Sequence, residues 1–400
     1  MIGSSCYSIS SFLYLLVTTR ILGTYAAGFF SLSYATAQLL LSVGRFGMRT
    51  FQATDLEAEY SFREYKVSRI ISCGLMLLMG VIYSIVSFSG TYIIISIFVI
   101  VMKMIDAVED VYHGNLQQNY NVELMGKLLA ARNIYSALSY IIALMWWKDL
   151  GYACVFCATT SLLLCLYINI YFTSKYNYSL TGGNSLRWDR LYILMKRCLP
   201  IFGGTFLSLL LYNIPKYAMS NILTDDYQAV YSILFMPSFV ILMMCEFVFK
   251  PTITTIASLW FADDIKRFCK YVIRIMLVIF GFSVGIVIGG DLLGRRLLEI
   301  IYGVELFEYR IDFIILLVGG GICSAVYMIY NILIAIRRGN CILVVYGITS
   351  VITALISHRM VSKMLITGAA LNYLFSCTLL LLLFGFILVY EISKKKTSHI

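Results

Sequence analysis

The chain has 400 residues, of which 60% are hydrophobic and only 13% charged, and it carries a formal net charge of +10. Soluble domains are about 45–50% apolar and about 25% charged, so this composition argues against a water-soluble fold. The basic residues fall mostly in short gaps between apolar runs, which is typical of membrane-protein loops and argues against nucleic acid as a partner.

The apolar runs have the length of transmembrane helices. About 20 apolar residues are needed for a helix to cross a hydrocarbon core of about 30 Å. Alternating segments of about ten residues, the pattern of membrane β-barrels, are absent. We predict an all-α polytopic membrane protein with twelve spans: 2–19, 27–47, 67–88, 91–109, 129–147, 151–173, 199–220, 229–249, 271–290, 312–336, 340–357 and 364–391.

The basic residues also predict the orientation of these spans. If the N-terminus is cytoplasmic, about three times as many Lys and Arg residues fall in cytoplasmic segments as in outside segments, in accord with the positive-inside rule. An even number of spans returns the chain to its starting side. We therefore predict that both termini are cytoplasmic.

Two short stretches recur in both halves of the chain. Gly28–Leu32 at the start of span two is similar to Ala229–Ile233 at the start of span eight, and Val67–Ile70 is similar to Val272–Ile275 at nearly the same offset. Six spans per half would repeat without inversion, about an axis along the membrane normal. We predict an N-terminal six-helix bundle at 1–175, a cytoplasmic linker at 176–198, and a C-terminal six-helix bundle with a short basic tail at 199–400.

Three arginines lie at the ends of the first two spans. Arg20 ends span one, while Arg45 and Arg49 are four residues apart on one face at the end of span two. A guanidinium is permanently charged and matches phosphate geometry, so these residues are candidates for anion binding. The alternatives are snorkelling to the interface for Arg20 and positive-inside anchoring for Arg45 and Arg49.

Span four ends in a run of charged residues, and a charge at bilayer depth costs several kcal/mol unless it is paired or hydrated. Spacings of three and four residues place these side chains on two adjacent faces of the helix. The pattern fits a proton or cation relay, or a salt-bridged gate against Arg132 of span five. The solvated end of a helix is the alternative. The residues are Lys103, Asp106, Glu109, Asp110 and His113.

Spans seven and eight contain the other candidate residues. Asn213 and Lys216 lie near the middle of span seven, and Glu246 is a lone acid in span eight. Each is a candidate to line a path or to hydrogen-bond a neighbouring helix. Pro215 and Pro237 interrupt their helices, and the freed carbonyls are tolerated only beside protein or water. We predict a hinge or cavity there, with plain helix bending as the alternative.

Signatures of enzymes and cofactors are missing from the sequence. There is no glycine-rich nucleotide loop, and the three histidines are too scattered for a metal site. We therefore expect no catalytic residues, no metal and no cofactor.

Three stretches of the chain resemble those of a known family. Thr19–Gly23 followed by Ala27–Leu32 is similar to the opening of polysaccharide-biosynthesis flippases, the O-antigen (Wzx-type) family of the MATE/MOP superfamily. Tyr112–Gln118 resembles that family's loop after span four. The segment 251–257, continued by 264–268, resembles the one after span eight.

The resemblance implies a fold, a substrate and partners. The fold would be two six-helix bundles around a central cavity, in the bacterial cytoplasmic membrane. The substrate would be an undecaprenyl-pyrophosphate-linked oligosaccharide, with Arg20 and Arg45 as the first candidates to hold the pyrophosphate. Partners would include membrane lipids, a coupling H⁺ or Na⁺, and the polysaccharide polymerase and chain-length machinery.

Other functions remain open on the sequence. An ion-coupled MATE-like exporter of small organic cations would want an acid-lined cavity, whereas the deep charges of spans one and two are arginines. A membrane-embedded polysaccharide polymerase would need a long outer loop with catalytic residues, and the longest outer segment is 291–312. A structural scaffold would not require a repeat.

Overall fold

The computed structural model describes residues 2–55, 59–175, 187–249, 252–336 and 338–397. Every regular element within these ranges is helical, which confirms the predicted all-α fold. Nine of the described helices are long and apolar enough to cross a membrane. The helices are α1 (Ile2–Arg45), α2 (Met48–Thr54), α3 (Phe62–Ser87), α4 (Thr91–Gln118), α5 (Val122–Trp147), α6 (Leu150–Lys175), α7 (Trp188–Ser220), α8 (Asp225–Phe249), α9 (Thr252–Phe261), α10 (Ile265–Gly289), α11 (Arg295–Tyr302), α12 (Arg310–Ala335) and α13 (Asn340–Thr397).

Helix α1 consists of two antiparallel arms joined at Gly23. The backbone of Gly23 has φ 85° and ψ −180°, a conformation that is open almost only to glycine. The Tyr7 hydroxyl donates to Oε1 of Gln38 at 2.9 Å, 31 residues away in the sequence. A straight helix would separate these residues by roughly 45 Å. The chain therefore reverses at Gly23, and α1 supplies the first two predicted spans.

Helix α13 reverses in the same way at Leu365. Leu365 has φ 50° and ψ −126°, which costs a non-glycine residue on the order of 1–3 kcal/mol. The rings of Tyr346 and Phe384, one on each arm, lie 5.5 Å apart. With two arms each for α1 and α13, and with the 25-residue helix α8 added, the described helices provide the twelve predicted crossings.

The chain divides into two compact units, Met1–Leu209 (unit 1) and Leu210–Ile400 (unit 2). In unit 1 the two arms of α1 are followed by the short helix α2 and then by α3, α4, α5 and α6. In unit 2 the end of α7 and helix α8 are followed by the short helix α9, then by α10, the short helix α11, α12 and the two arms of α13. The similar stretches Gly28–Leu32 and Ala229–Ile233 lie on the second long helix of their respective units. The repeat of six spans stays a prediction.

The segment that we predicted as a linker is partly helical. Residues 176–186 lie outside the described ranges, but Trp188 begins α7, whose first part belongs to unit 1. Arg197 NH1 lies 2.8 Å from both carboxylate oxygens of Glu59. The ring of Phe202 stacks on Phe46 with centroids 4.6 Å apart. The start of α7 is therefore a helix that packs within unit 1, and not a loop.

The segment Tyr112–Gln118, expected as a loop, is the last part of α4. The short helix α2 packs against this part of α4, and Gln52 of α2 is fully buried beside Gly114. Gly114 leaves no room for a side chain there. Because α2 covers this polar end of α4, the helix continues beyond the apolar run from which we predicted its end.

Three consecutive glycines on α12 allow close helix packing at the centre of unit 2. A Cβ built on each would lie under 3.0 Å from a different helix. The neighbours are Tyr373 of α13 for Gly319, Ser238 of α8 for Gly320, and Ser283 of α10 for Gly321. Helices in membranes associate through small residues that let backbones approach. These three glycines therefore allow α13, α8 and α10 to pack closely against α12.

Gly320→Ala is expected to lower the melting temperature of the protein in detergent. Its Cβ would lie 2.9 Å from Cα of Ser238, and overpacking against backbone costs typically about 1–3 kcal/mol. Gly285→Ala on α10 is the matched control, since its Cβ would meet nothing within 4 Å. The control should be unchanged or slightly more stable. Equal melting curves for the two variants would contradict the packing argument.

Candidate functional site

Buried charges are concentrated in unit 1. Such charges are rare within membrane segments and usually functional. Within the ranges that the structure describes, only Asp312 among the buried charged residues belongs to unit 2. Those of unit 1 are Glu64, Arg69, Lys103, Asp106, Glu109, Asp110, His113 and Arg132.

The deeper group, here called the balanced cluster, consists of Lys103, Asp106, Glu109 and Arg132. Lys103 Nζ lies 3.1 Å from Oδ2 of Asp106. Arg132 pairs through NH1 with Asp106 and through Nε with Oε2 of Glu109, the latter at 3.3 Å. Two cations therefore face two carboxylates. The predicted ion pairing of span four with Arg132 is present, and the two positive and two negative charges of the cluster balance.

Aromatic rings complete the surroundings of Lys103. Its Nζ lies 4.6 Å from the ring centroid of Tyr7 and 4.5 Å from that of Tyr34, which stand on the two arms of α1. The same Nζ donates to the Tyr7 hydroxyl at 3.4 Å. Cation–π contacts are strongest when the cation is desolvated. Lys103 thus links both arms of α1 to α4.

The second group, here called the arginine cluster, consists of Asp110 with Arg45, Arg49 and Arg69. Oδ1 of Asp110 lies 3.2 Å from NH1 of Arg49 and 3.7 Å from Nε of Arg45. Oδ2 lies 3.1 Å from NH2 of Arg69. Three permanently charged guanidinium groups thus surround one carboxylate, which leaves a positive excess.

The members of the arginine cluster differ in accessibility. The side chains of Arg69 and Asp110 are each 2% exposed, whereas those of Arg49 and Arg45 are 28% and 38% exposed. Arg69 NH1 also donates to the carbonyl of Gly44 at 2.6 Å. Arg69 and Asp110 are therefore held inside unit 1, while Arg45 and Arg49 reach its surface.

The donors of the two accessible arginines are only partly used, although NH1 of Arg49 donates to Oδ1 of Asp110 at 3.2 Å. Nε of Arg45 is buried and makes no hydrogen bond to any described residue, so the exposed 38% of this side chain lies in its other atoms. NH2 of Arg49 donates to Sδ of Met125 at 3.1 Å, and a thioether is a weak acceptor. A guanidinium has five N–H donors in a planar fork that matches carboxylate or phosphate oxygens. Arg45 and Arg49 are therefore suited to bind an anion.

The structure does not bring Arg20 to this cluster. Arg20 is exposed and lies one turn before the reversal at Gly23. Arg45 ends the second arm of α1, a full arm of roughly 30 Å farther on. One pyrophosphate cannot contact both side chains, so the two arginines that we paired as pyrophosphate ligands lie at opposite ends of the arm.

The candidates of spans seven and eight belong to unit 2. Asn213 and Lys216 are partly buried on α7, and the Lys216 carbonyl accepts a hydrogen bond from Nε2 of Gln228 at 2.7 Å. Pro215 is buried on α7, and Pro237 lies inside α8. The hinge at these prolines stays a prediction. The side chain of Glu246 lies outside the described part of the chain.

Arg69 is the functional candidate that sequence reasoning missed. It lies at the start of the predicted third span, in Val67–Ile70, a position that is typical of an interfacial charge. Its burial is marked in the sequence only by Ser68 and Ser72 on either side, and Ser72 Oγ donates to the same Gly44 carbonyl at 2.7 Å. Small polar residues beside an arginine in a predicted span are the signal that was available.

The fold is that of a class of membrane transporters. No protein-family model matches the sequence, and no curated protein matches it either. The chain is similar to the inward-facing structure of a multidrug resistance MATE family transporter of the MOP superfamily, with TM-score 0.74 and 12% identity over 98% of this chain and 95% of that one.

Two further solved structures share the fold. A MOP superfamily transporter from Pyrococcus furiosus, described as having a binding pocket of reverse polarity, matches with TM-score 0.63 and 12% identity over 99% of this chain and 94% of that one. The MATE transporter VcmN of Vibrio cholerae matches with TM-score 0.65 and 14% identity over 97% and 94%. The chain is thus a multi-pass membrane protein with the MATE/MOP transporter fold.

Proposed function

We propose that this chain is a flippase that moves undecaprenyl-pyrophosphate-linked oligosaccharide repeat units across the bacterial cytoplasmic membrane for surface polysaccharide biosynthesis. The arginine cluster is the observation that carries the proposal. A diphosphate cannot enter an apolar environment without compensating charges and donors. Arg45 and Arg49 offer both, at the end of unit 1 that we predict to be cytoplasmic, where such a substrate would be loaded.

The fold and the charge pattern support this proposal in different ways. The fold is shared with membrane transporters. Within that fold a pocket of reverse polarity is described for the Pyrococcus furiosus protein and associated with a different function. The polarity of the binding pocket therefore differs between proteins with this fold, and the proposed cationic site would suit an anionic substrate. The balanced cluster, in turn, is the proposed gating or coupling element, because breaking any of its ion pairs exposes an uncompensated charge.

A second candidate function is ion-coupled export of small organic molecules. It is favoured by the likeness to multidrug resistance transporters, which extends over 98% of the chain. The two functions differ in the charge of the transported group. An exporter of organic cations would gain nothing from Arg45 and Arg49, whereas a carrier of diphosphates would depend on them.

Reconstitution tests the two functions side by side. Purified protein in proteoliposomes is expected to translocate a fluorescent undecaprenyl-pyrophosphate oligosaccharide, and Arg45→Gln with Arg49→Gln should slow translocation about tenfold or more by removing two charged donors. Lys127→Gln is the matched control, because Lys127 is an exposed cation paired with Glu123 on α5. Its rate should equal that of the unmodified protein.

The same vesicles should also be tested for uptake of a fluorescent organic cation such as ethidium. Uptake of the cation without movement of the lipid-linked substrate would support the exporter and overturn the flippase proposal. Elongation of the glycan chain in the vesicles would point instead to a polymerase. Equal rates for the double variant and Lys127→Gln would remove the arginine cluster from the mechanism.

A further inference from the structure

We infer that Asp110 competes with the phosphate groups of the substrate for Arg45 and Arg49. Its carboxylate keeps these two arginines in place and limits how tightly a diphosphate binds. The inference rests on the proposed function, because it assigns the arginine pair an anionic ligand. Neutralising Asp110 should strengthen anion binding, however, whereas neutralising Arg45 and Arg49 should weaken it.

The two oxygens of Asp110 have different roles. Oδ2 is paired with the buried guanidinium of Arg69, which also holds the Gly44 carbonyl. Oδ1 is the oxygen that faces the accessible arginines, and it is shared between Arg49 at 3.2 Å and Arg45 at 3.7 Å. One half of the carboxylate is therefore fixed inside unit 1, and the other half pairs with the two guanidinium groups that an incoming anion would meet.

Oδ1 is shared between two guanidinium groups, and only one of them is hydrogen-bonded to it. NH1 of Arg49 donates to Oδ1 at 3.2 Å, whereas the 3.7 Å between Oδ1 and Nε of Arg45 is beyond hydrogen-bond length. A diphosphate has several charged oxygens and can accept from both guanidinium groups in bidentate fashion. The substrate can therefore displace Arg45 and Arg49 from Oδ1.

Displacement does not remove the carboxylate. Asp110 is 2% exposed and stays paired with Arg69, so its negative charge remains close to the bound phosphates. Like charges in a partly buried site repel each other. The bound state is thus weakened by a fixed charge of this chain, which favours release of the substrate after translocation.

Neutralising Asp110 should therefore strengthen anion binding. We expect purified Asp110→Asn in detergent to bind inorganic pyrophosphate on the order of tenfold more tightly than the unmodified protein, measured by calorimetry at constant ionic strength. In the flipping assay the same variant should lower both KM and kcat, because tighter binding slows release. A carboxylate that merely supported the fold would raise KM or leave it unchanged.

Two further variants make the result interpretable. Asp110→Glu keeps the charge and its pairing with Arg69, so it is the safer variant for folding, and it should bind pyrophosphate no more tightly than the unmodified protein. Asp110→Asn combined with Arg45→Gln and Arg49→Gln should show no gain. Tighter binding by Asp110→Glu, or equal or weaker binding by a folded Asp110→Asn, would overturn the inference.

Pyrophosphate binding by the variants also distinguishes a failure of the Asp110 role from a failure of the anion site. If the unmodified protein binds pyrophosphate and Arg45→Gln with Arg49→Gln does not, the anion site stands whatever Asp110→Asn does. If the unmodified protein and the arginine double variant bind pyrophosphate equally, the site itself is absent and both proposals fail.

Discussion

Arg132→Met is expected to lower the free energy of unfolding by about 3–5 kcal/mol, the cost of removing one partner from a buried ion pair. Arg132 contacts both Asp106 and Glu109, and all three side chains are at most 6% exposed. Without the guanidinium, Lys103 is left to balance two carboxylates. Reversible unfolding in mixed micelles or bicelles, followed by helical circular dichroism, measures the change.

A second substitution distinguishes charge balance from lost packing. Arg132→Met combined with Glu109→Gln leaves Lys103 facing Asp106 alone, so the cluster is neutral again. The double variant should be more stable than Arg132→Met. Lys127→Met on the same helix should change stability by less than about 1 kcal/mol, since its pair with Glu123 is exposed. A double variant less stable than the single one would show that packing, not charge, dominates.

The twelve crossings could be predicted from the sequence because the length of an apolar run is a local property. The ends of the helices could not. We predicted that span four ends at 109, but α4 continues to Gln118. Charged residues such as Asp110 look like a solvated end unless their partners are known. Those partners, Arg45 and Arg69, come from other helices, and no local pattern specifies them.

The candidate site was predictable to the same extent. Spacings on α4 placed Asp106 and Asp110 on one face, and Arg132 was a predicted partner. The family resemblance groups Arg20 with Arg45, although the predicted topology places these residues on opposite sides of the membrane. The burial of the Arg69 side chain depends on how α1, α3 and α4 pack together. A pattern along the sequence does not contain this information.

Arg69 connects these three helices through a single guanidinium. It lies on α3, donates to the Gly44 carbonyl of α1 at 2.6 Å and to Asp110 of α4 at 3.1 Å, and is 2% exposed. Gly44 directly precedes Arg45 in the chain, and Asp110 pairs with both Arg45 and Arg49. The position of the accessible arginines therefore depends on a residue that no ligand needs to touch.

Arg69→Lys should consequently destabilise the protein although it keeps the charge. An ammonium is a compact point charge and does not reproduce the planar fork that reaches two acceptors at once. The Gly44 carbonyl would still accept from Ser72, so the main loss is the charged hydrogen bond to Asp110. Such bonds contribute about 1.5–3 kcal/mol, and denaturant unfolding in bicelles should show a loss of that size.

Arg63→Lys on the same helix is the matched control, because Arg63 is exposed and exposed substitutions usually change stability by less than about 0.5 kcal/mol. If Arg69→Lys were as stable as Arg63→Lys, apolar packing alone would hold α1, α3 and α4 together. The buried arginine would then serve only as a counter-charge to Asp110, which a lysine can also provide. A loss confined to Arg69→Lys would instead show that its two-pronged geometry sets the register in which Arg45 and Arg49 meet an anion.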